Sequence, residues 1–125
     1  TRFLLVALGG GMGAMARYGL GAAAGRLAPQ ATWPMGTFAV NLIGGLLMGL
    51  LAGWLALRGG AEAVRLFAAV GVLGGFTTFS AFSLETALLI ERRELALAAG
   101  YVVASVMLSI GALFVGLFIA RRVFA

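Results

Sequence analysis

The chain has 125 residues, of which 62% are hydrophobic and only 10% are charged, and its mean hydropathy is +1.10. A soluble domain of this length has too small an interior to bury so much apolar surface, so we predict an integral membrane protein. The net charge of +5 comes from arginines that mostly flank the apolar runs. This placement is typical of topology determinants and argues against a nucleic-acid partner.

The side-chain inventory argues against an enzyme. Cysteine, histidine, lysine and aspartate are all absent from the sequence. The chain therefore offers no thiol, imidazole or side-chain amine as a nucleophile, and no cluster of the usual metal-binding side chains. We predict a protein that is not an enzyme and has no catalytic cofactor.

The first predicted span covers residues 2–26. Its glycines form a row with four-residue spacing that consists of Gly9, Gly13, Gly21 and Gly25. Residues four apart share one helical face, so this face is almost bare backbone and suits close helix packing. Arg17 lies in the same row and is either a snorkelling topology anchor, which we favour, or an electropositive funnel for anions.

The second predicted span covers residues 33–57. The link before it includes Pro29, and residues 32–34 predict a helix start with an interfacial tryptophan. A stripe with four-residue spacing along this span consists of Thr37, Asn41, Gly45, Gly49 and Gly53. Asn41 is the only asparagine and either bridges helices or meets a polar ligand; its position alone favours the bridge.

The third predicted span covers residues 63–90, and its middle is a poor continuous helix. Gly74 and Gly75 are adjacent and are followed by β-branched and hydroxyl residues. Such residues weaken helical propensity, so we predict a helix break near residues 74–78, in the middle of the membrane.

The fourth predicted span covers residues 95–120 and follows a tight turn at residues 91–94. A polar line with four-residue spacing along this span consists of Tyr101, Ser105 and Ser109. Two arginines then end the span. The four spans use nearly the whole chain, so we predict a single membrane domain over residues 1–125.

The arginines leave the orientation of the chain almost balanced. With four spans, one side of the membrane holds five arginines, at positions 2, 58, 65, 121 and 122. The other side holds Arg26, Arg92 and Arg93, joined by Arg17 if its side chain snorkels that way. A near-tie allows insertion in both directions and hence an antiparallel homodimer, although the arginines alone favour a single orientation with a weak signal.

Aromatic rings and hydroxyls alternate in the third span. Phenylalanines occupy every third position with hydroxyl residues between and after them: Phe76, Thr77, Thr78, Phe79, Ser80, Phe82 and Ser83. Unpaired hydroxyls are unfavourable in lipid, so a hydrated pathway explains the mixture better than lipid-facing side chains do. A small anion could exchange its water there for weak donors, namely the Asn41 amide, hydroxyls and the positive ring edges of Phe79 and Phe82. Glu85 is either a proton-linked carboxylate or, as we favour, part of a polar vestibule.

Three motifs together resemble those of the Fluc/CrcB fluoride channels. They are GGGMGAMARY at residues 9–18, GTFAVNLIG at 36–44 and GGFTTFSAFS at 74–83. Glycine spacing alone is common in membrane helices, but the order of the motifs and the four spans make the resemblance specific, and it covers the whole chain.

The resemblance implies an all-α membrane protein assembled as an antiparallel dual-topology homodimer, with two fluoride pores along the subunit interface. It implies that Asn41, Phe79 and Phe82 line the pores. It further matches pore-side polar positions of the family to Tyr101, Ser105 and Ser109, together with Thr37 and Glu85. The span-three break in such channels presents backbone carbonyls to a central structural sodium ion, and the matching positions are Gly74 and Thr77.

The implied function is passive export of cytoplasmic fluoride across a bacterial inner membrane, with lipid and a second copy of the chain as partners. No segment resembles a nucleotide-binding motif, so we predict a channel and not a pump. One alternative is a small multidrug-type antiporter. Proteins of that type carry an acidic residue in the first span, whereas the first span of this chain has none. The other is a non-conducting scaffold, which leaves the hydroxyl and phenylalanine mixture unexplained.

Overall fold

A computed structural model describes residues 1–27 and 34–125, and all regular structure in these residues is helical. Four of its helical segments are long and apolar enough to cross a membrane: Arg2–Leu27 (α1), Met35–Arg58 (α2), Glu62–Glu91 and Leu95–Val123 (α6). At about 1.5 Å per residue, even the 24 residues of α2 exceed a hydrocarbon layer of roughly 30 Å. The prediction of an all-helical, four-span membrane protein is therefore confirmed.

The connection before α2 includes Pro29 and the predicted interfacial Trp33, which both lie outside the described residues. At its other end, α2 stops at Gly59, whose φ of +60° is the left-handed conformation that favours glycine. The Gly59 N–H donates to Leu55 O at 2.8 Å, which satisfies a carbonyl of the last helical turn.

The third span is a composite of short helical pieces. It consists of α3 (Glu62–Val64), a π-helix (Arg65–Leu73), α4 (Gly74–Phe76) and α5 (Phe79–Glu91). Thr77 and Thr78 separate α4 from α5 and have extended backbones, with φ/ψ of −100°/144° and −145°/128°. The span is therefore bent at the C-terminal edge of the segment where the sequence predicted an interruption. The π-helix was not predicted.

Glycines bring the second and fourth spans, α2 and α6, into close contact. A Cβ added to Gly45 would lie 2.6 Å from Ser109 O, and one added to Gly53 would lie 2.5 Å from the Ala120 Cβ. Gly49 likewise leaves no room for a methyl group against Leu113 O. These contacts advance together along both helices, so α2 and α6 run parallel with their backbones in close approach.

The first span packs against the third in the same way. A Cβ on Gly9 would meet Phe67 O, and one on Gly13 would meet Val72 O and lie 2.7 Å from Phe76 N. The glycine row of α1 therefore contacts the π-helix and α4 directly, as expected for small residues at membrane helix interfaces.

Contacts at one end of the bundle group several arginines. The Glu62 carboxylate lies 3.4 Å from Arg2 Nη2 and 3.6 Å from Arg65 Nη2, and Arg58 Nε donates to Phe124 O at 3.1 Å. On the side of the membrane where the sequence placed these ends, the first span is thereby linked to the third, and the second to the fourth. These ion pairs are exposed and contribute little stability individually.

Buried apolar packing is limited within one chain. A cluster of Phe82, Leu89, Ala98 and Tyr101 joins α5 to α6. Large apolar side chains such as Phe3, Met15 and Phe114 are exposed instead. This distribution suits a bundle whose surroundings are lipid or further protein.

Candidate ion pathway

One cavity collects most of the predicted pore residues. It has a volume of about 440 Å³ and lies between α2, the bend of the third span and α6. The predicted site residues in its wall are Asn41, Thr77, Phe79, Phe82, Ser105 and Ser109. Glycines, apolar side chains and Thr78 complete the wall, so no charged side chain lines this first cavity within the described chain.

Two serine hydroxyls in the first cavity have no hydrogen-bond partner in the part of the chain that the structure describes. The Oγ atoms of Ser105 and Ser109 are buried and make no hydrogen bond within the described residues, and Ser105 is only 3% exposed. Helix α6 places them one turn apart on the same face. Buried hydroxyls are ordinarily hydrogen-bonded, so both donors are available to a group that enters the cavity.

The amide of Asn41 is also available. It makes no side-chain hydrogen bond within the described residues, so it forms no bridge to another helix of the same chain there. Asn41 lies one turn before Gly45, at the close approach of α2 to Ser109. The backbone contact therefore brings the amide and the two serine hydroxyls into the wall of one cavity.

Aromatic rings form one side of the first cavity. The ring centroids of Phe79 and Phe82 are 5.6 Å apart with planes inclined by 48°. Phe82 is buried and its ring lies 5.2 Å from that of Tyr101, whereas Phe79 is 78% exposed. Aromatic rings carry positive edges, so they can attract an anion without a formal charge.

A second cavity of about 610 Å³ contains the predicted vestibule residues. Arg17, Thr37 and Glu85 lie in its wall. Thr37 Oγ1 donates to Glu85 Oε1 at 2.8 Å, and the Tyr101 hydroxyl donates to Glu85 Oε2 at 3.2 Å. Because the fully buried Tyr101 also packs on Phe82, it links the carboxylate of the second cavity to the ring wall of the first.

The structure shows a contact of Arg17, and locations of the two predicted sodium-site residues, that the sequence did not reveal. Arg17 Nε donates to Gly75 O at 3.4 Å, a contact that was missed because only the four-residue row of Arg17 was visible in the sequence. Gly74 is exposed and belongs to neither cavity wall, whereas Thr77 lines the first.

In the described residues no three side chains of His, Cys, Asp or Glu come together as metal ligands.

These features define a multi-pass, all-helical membrane protein with a cavity of uncharged donors between its second, third and fourth spans. The family described as CrcB-like protein, Camphor Resistance (CrcB), matches residues 4–117. The chain therefore belongs to this family, and the resemblance drawn from the three motifs is confirmed.

Curated bacterial relatives match along almost their whole length. A protein of Caulobacter sp. (strain K31) is 63% identical over 127 residues, covering 100% of this chain and 98% of the relative. Proteins of Phenylobacterium zucineum (strain HLK1) and Novosphingobium aromaticivorans are 62% and 56% identical, each over 98% of this chain and over 97% and 98% of the relative. All three relatives are named "Fluoride-specific ion channel FluC".

Proposed function

We propose that this protein is a passive, fluoride-selective channel that exports cytoplasmic fluoride across a bacterial inner membrane. The observation that carries the proposal is the pair of buried hydroxyls of Ser105 and Ser109, beside the Asn41 amide, in a cavity where the described residues supply neither a hydrogen-bond partner for these hydroxyls nor a charged side chain. The full-length relatives named as fluoride-specific channels support the choice of ion.

The chemistry of the cavity suits a small anion. Fluoride accepts hydrogen bonds strongly, so a site must replace its water with donors before the ion can cross the hydrocarbon layer. Asn41, Ser105 and Ser109 offer such donors, and the Phe79 and Phe82 rings offer positive edges. An arginine in the wall would bind the anion too tightly for rapid release, since conduction needs weak, repeated sites.

Passive exit is sufficient for this task. Hydrogen fluoride is a weak acid that crosses membranes as the neutral molecule and ionises inside, so a cell in an acidic, fluoride-bearing medium accumulates the anion. An inside-negative potential of 100 mV favours anion exit by about 2.3 kcal/mol per charge. No coupling to an energy source is required.

Purified protein in liposomes loaded with potassium fluoride and potassium chloride provides the direct test. We expect rapid fluoride efflux once valinomycin allows potassium to leave, because a passive anion pathway is limited by charge balance. Ion-selective electrodes measure both halides in the same sample, and protein-free liposomes are the control. Absence of fluoride efflux, or equal efflux of chloride, would refute selective fluoride conduction.

The proposal includes a second copy of the chain. The first cavity is built from one chain, yet Phe79 in its wall is 78% exposed and the neighbouring faces of α5 and α6 carry exposed apolar residues. A partner chain would shield this wall from lipid. The near-balance of arginines permits an antiparallel partner, and the twofold axis of such a dimer would give two equivalent pores.

The chain contains no native cysteine, so single cysteines added at the N-terminus or C-terminus report orientation without background. In inner-membrane vesicles we expect a membrane-impermeant maleimide to label about half of the molecules at either terminus, because balanced arginines permit both insertions. Detergent-solubilised protein supplies the value for full labelling. Labelling near zero or near completion at both termini would establish one orientation and contradict the antiparallel dimer.

A structural sodium ion at the dimer centre is a further part of the proposal. Sodium is a hard cation that prefers oxygen ligands, and backbone carbonyls can supply them where a helix is interrupted. Thr77 is extended, and none of the described turn and cap hydrogen bonds of the backbone reaches the carbonyl oxygens of Gly74 or Thr77. Both carbonyls therefore keep the acceptor capacity that such an ion needs.

We further propose that the second cavity is the aqueous entrance to the pore. Arg17 and Glu85 lie in its wall, while the Glu85 carboxylate is held by Thr37 and Tyr101. An ion that leaves this vestibule would meet the hydroxyls of Thr37 and Tyr101 before those of Ser105 and Ser109. This order follows the contacts from Glu85 to Tyr101 and from Tyr101 to Phe82.

A further inference from the structure

The bend of the third span leaves a backbone carbonyl in need of a donor. In a continuous helix, Gly75 O would accept the N–H of the residue four positions later, but Thr77 and Thr78 are extended and interrupt that pattern. An unpaired carbonyl at membrane depth is strongly unfavourable. Arg17 Nε donates to Gly75 O at 3.4 Å from a partly buried position on α1.

The glycine row of α1 allows Arg17 to reach this carbonyl. A Cβ on Gly13, one turn before Arg17, would meet Val72 O. A Cβ on Gly75 would meet Gly10 O and lie 2.9 Å from the Gly10 Cα. The two backbones are therefore in contact, and the Arg17 side chain starts directly beside the bend.

We infer that Arg17 is a positioning residue that holds the bend by donating to the Gly75 carbonyl. Thr77 and Phe79, which follow Gly75 within one turn's length of chain, line the first cavity. Arg17 thus acts on the ion pathway through the backbone, and the location of its donor matters more than its positive charge. This role differs from both sequence-based interpretations, the topology anchor and the anion funnel.

Replacing Arg17 with lysine separates the effect of the hydrogen-bond donor at Nε from the effect of the positive charge. Arginine carries its Nε after three methylenes, whereas lysine has a fourth methylene at that place and its ammonium one bond further on. Arg17→Lys therefore keeps the charge in the second cavity but places carbon opposite Gly75 O. Arg17→Ala removes both charge and donor. Arg26→Ala is the matched control, since Arg26 lies at the end of the same helix and makes no hydrogen bond or ion pair within the described residues.

The first test is amide hydrogen exchange over residues 74–82, measured by mass spectrometry on intact protein in detergent. Loss of a hydrogen bond to a charged donor changes a local equilibrium by about tenfold or more. We expect the exchange rate of this segment to rise by about that factor in Arg17→Ala and Arg17→Lys. In Arg26→Ala it should equal the rate in the unmodified protein. An unchanged rate in Arg17→Ala would overturn the inference.

The second test rests on the proposed fluoride conduction. Both Arg17 variants should lower fluoride efflux by about tenfold, and the defect should be the same at low and high ionic strength because it does not arise from electrostatic steering. Unimpaired efflux in Arg17→Lys, or a defect of Arg17→Ala that high salt abolishes, would overturn the inference in favour of a funnel. If the unmodified protein carries no fluoride, the proposed function fails while the exchange experiment still decides the role of Arg17.

Discussion

Replacing Ser105 and Ser109 together with alanine is expected to lower fluoride efflux by about a hundredfold or more, because each hydrogen bond to a charged group contributes roughly 1.5–3 kcal/mol. Both hydroxyls are buried in the first cavity and have no hydrogen-bond partner among the described residues, so they are available as donors to a dehydrated anion. Efflux from liposomes containing a known number of dimers gives the rate per protein.

The stability of the same variant separates a pore role from a structural role. Since neither hydroxyl bonds to protein within the described residues, their removal should leave the thermal midpoint of the dimer unchanged or raise it. Thr86→Val is the matched control, because the Thr86 hydroxyl is satisfied by Phe82 O at 2.8 Å and lies outside both cavity walls. Wild-type efflux in the double variant, or its dissociation into monomers, would contradict the assignment.

Asn41→Leu is the second substitution with a large expected effect. Leucine has the same number and branching of side-chain heavy atoms but no donor, so we expect fluoride efflux to fall by about tenfold to a hundredfold while the dimer remains intact. Asn41 has no hydrogen-bonded partner within the described chain, so its loss leaves no protein group unsatisfied.

Asn41→Gln provides the comparison for that measurement. Glutamine keeps the amide and moves it by one methylene, so its efflux should lie between the rates of the asparagine and leucine forms. A leucine variant that conducts as well as the unmodified protein would remove Asn41 from the pathway. A leucine variant that fails to dimerise would instead support the structural bridge between subunits.

The sequence was sufficient for the spans because hydropathy depends on composition alone. Four apolar runs predicted four spans, and the described helices agree with their predicted ends to within a few residues. Glycine spacing also predicted close-packed faces on the first two spans. It did not identify their partners, since the pairing of α1 with the third span and of α2 with α6 depends on tertiary contacts.

The finer features of the site depend on backbone geometry that residue types do not encode. The residues of the π-helix, Arg65–Leu73, are mostly apolar, and nothing in their pattern signals its wider turn. Thr37, Glu85 and Tyr101 were each identified as polar, but their hydrogen bonds required the relative rotation of three spans. The role of Arg17 was interpreted from its place in the glycine row of the first span, whereas its contact with Gly75 O depends on how the third span bends.

The central claim is that uncharged donors of the first cavity replace the water around a fluoride ion. A high-resolution crystal structure of the lipid-embedded protein, grown in fluoride, tests it most directly. Fluoride and water have the same number of electrons, so crystals grown without fluoride are the comparison. We expect isolated density within about 3 Å of the Ser105 and Ser109 hydroxyls, beside the Asn41 amide, on a continuous passage through the membrane, and we expect it to be stronger with fluoride than without. If side chains of a neighbouring chain capped those three groups and left no passage beside the Phe79 and Phe82 rings, the account would be contradicted.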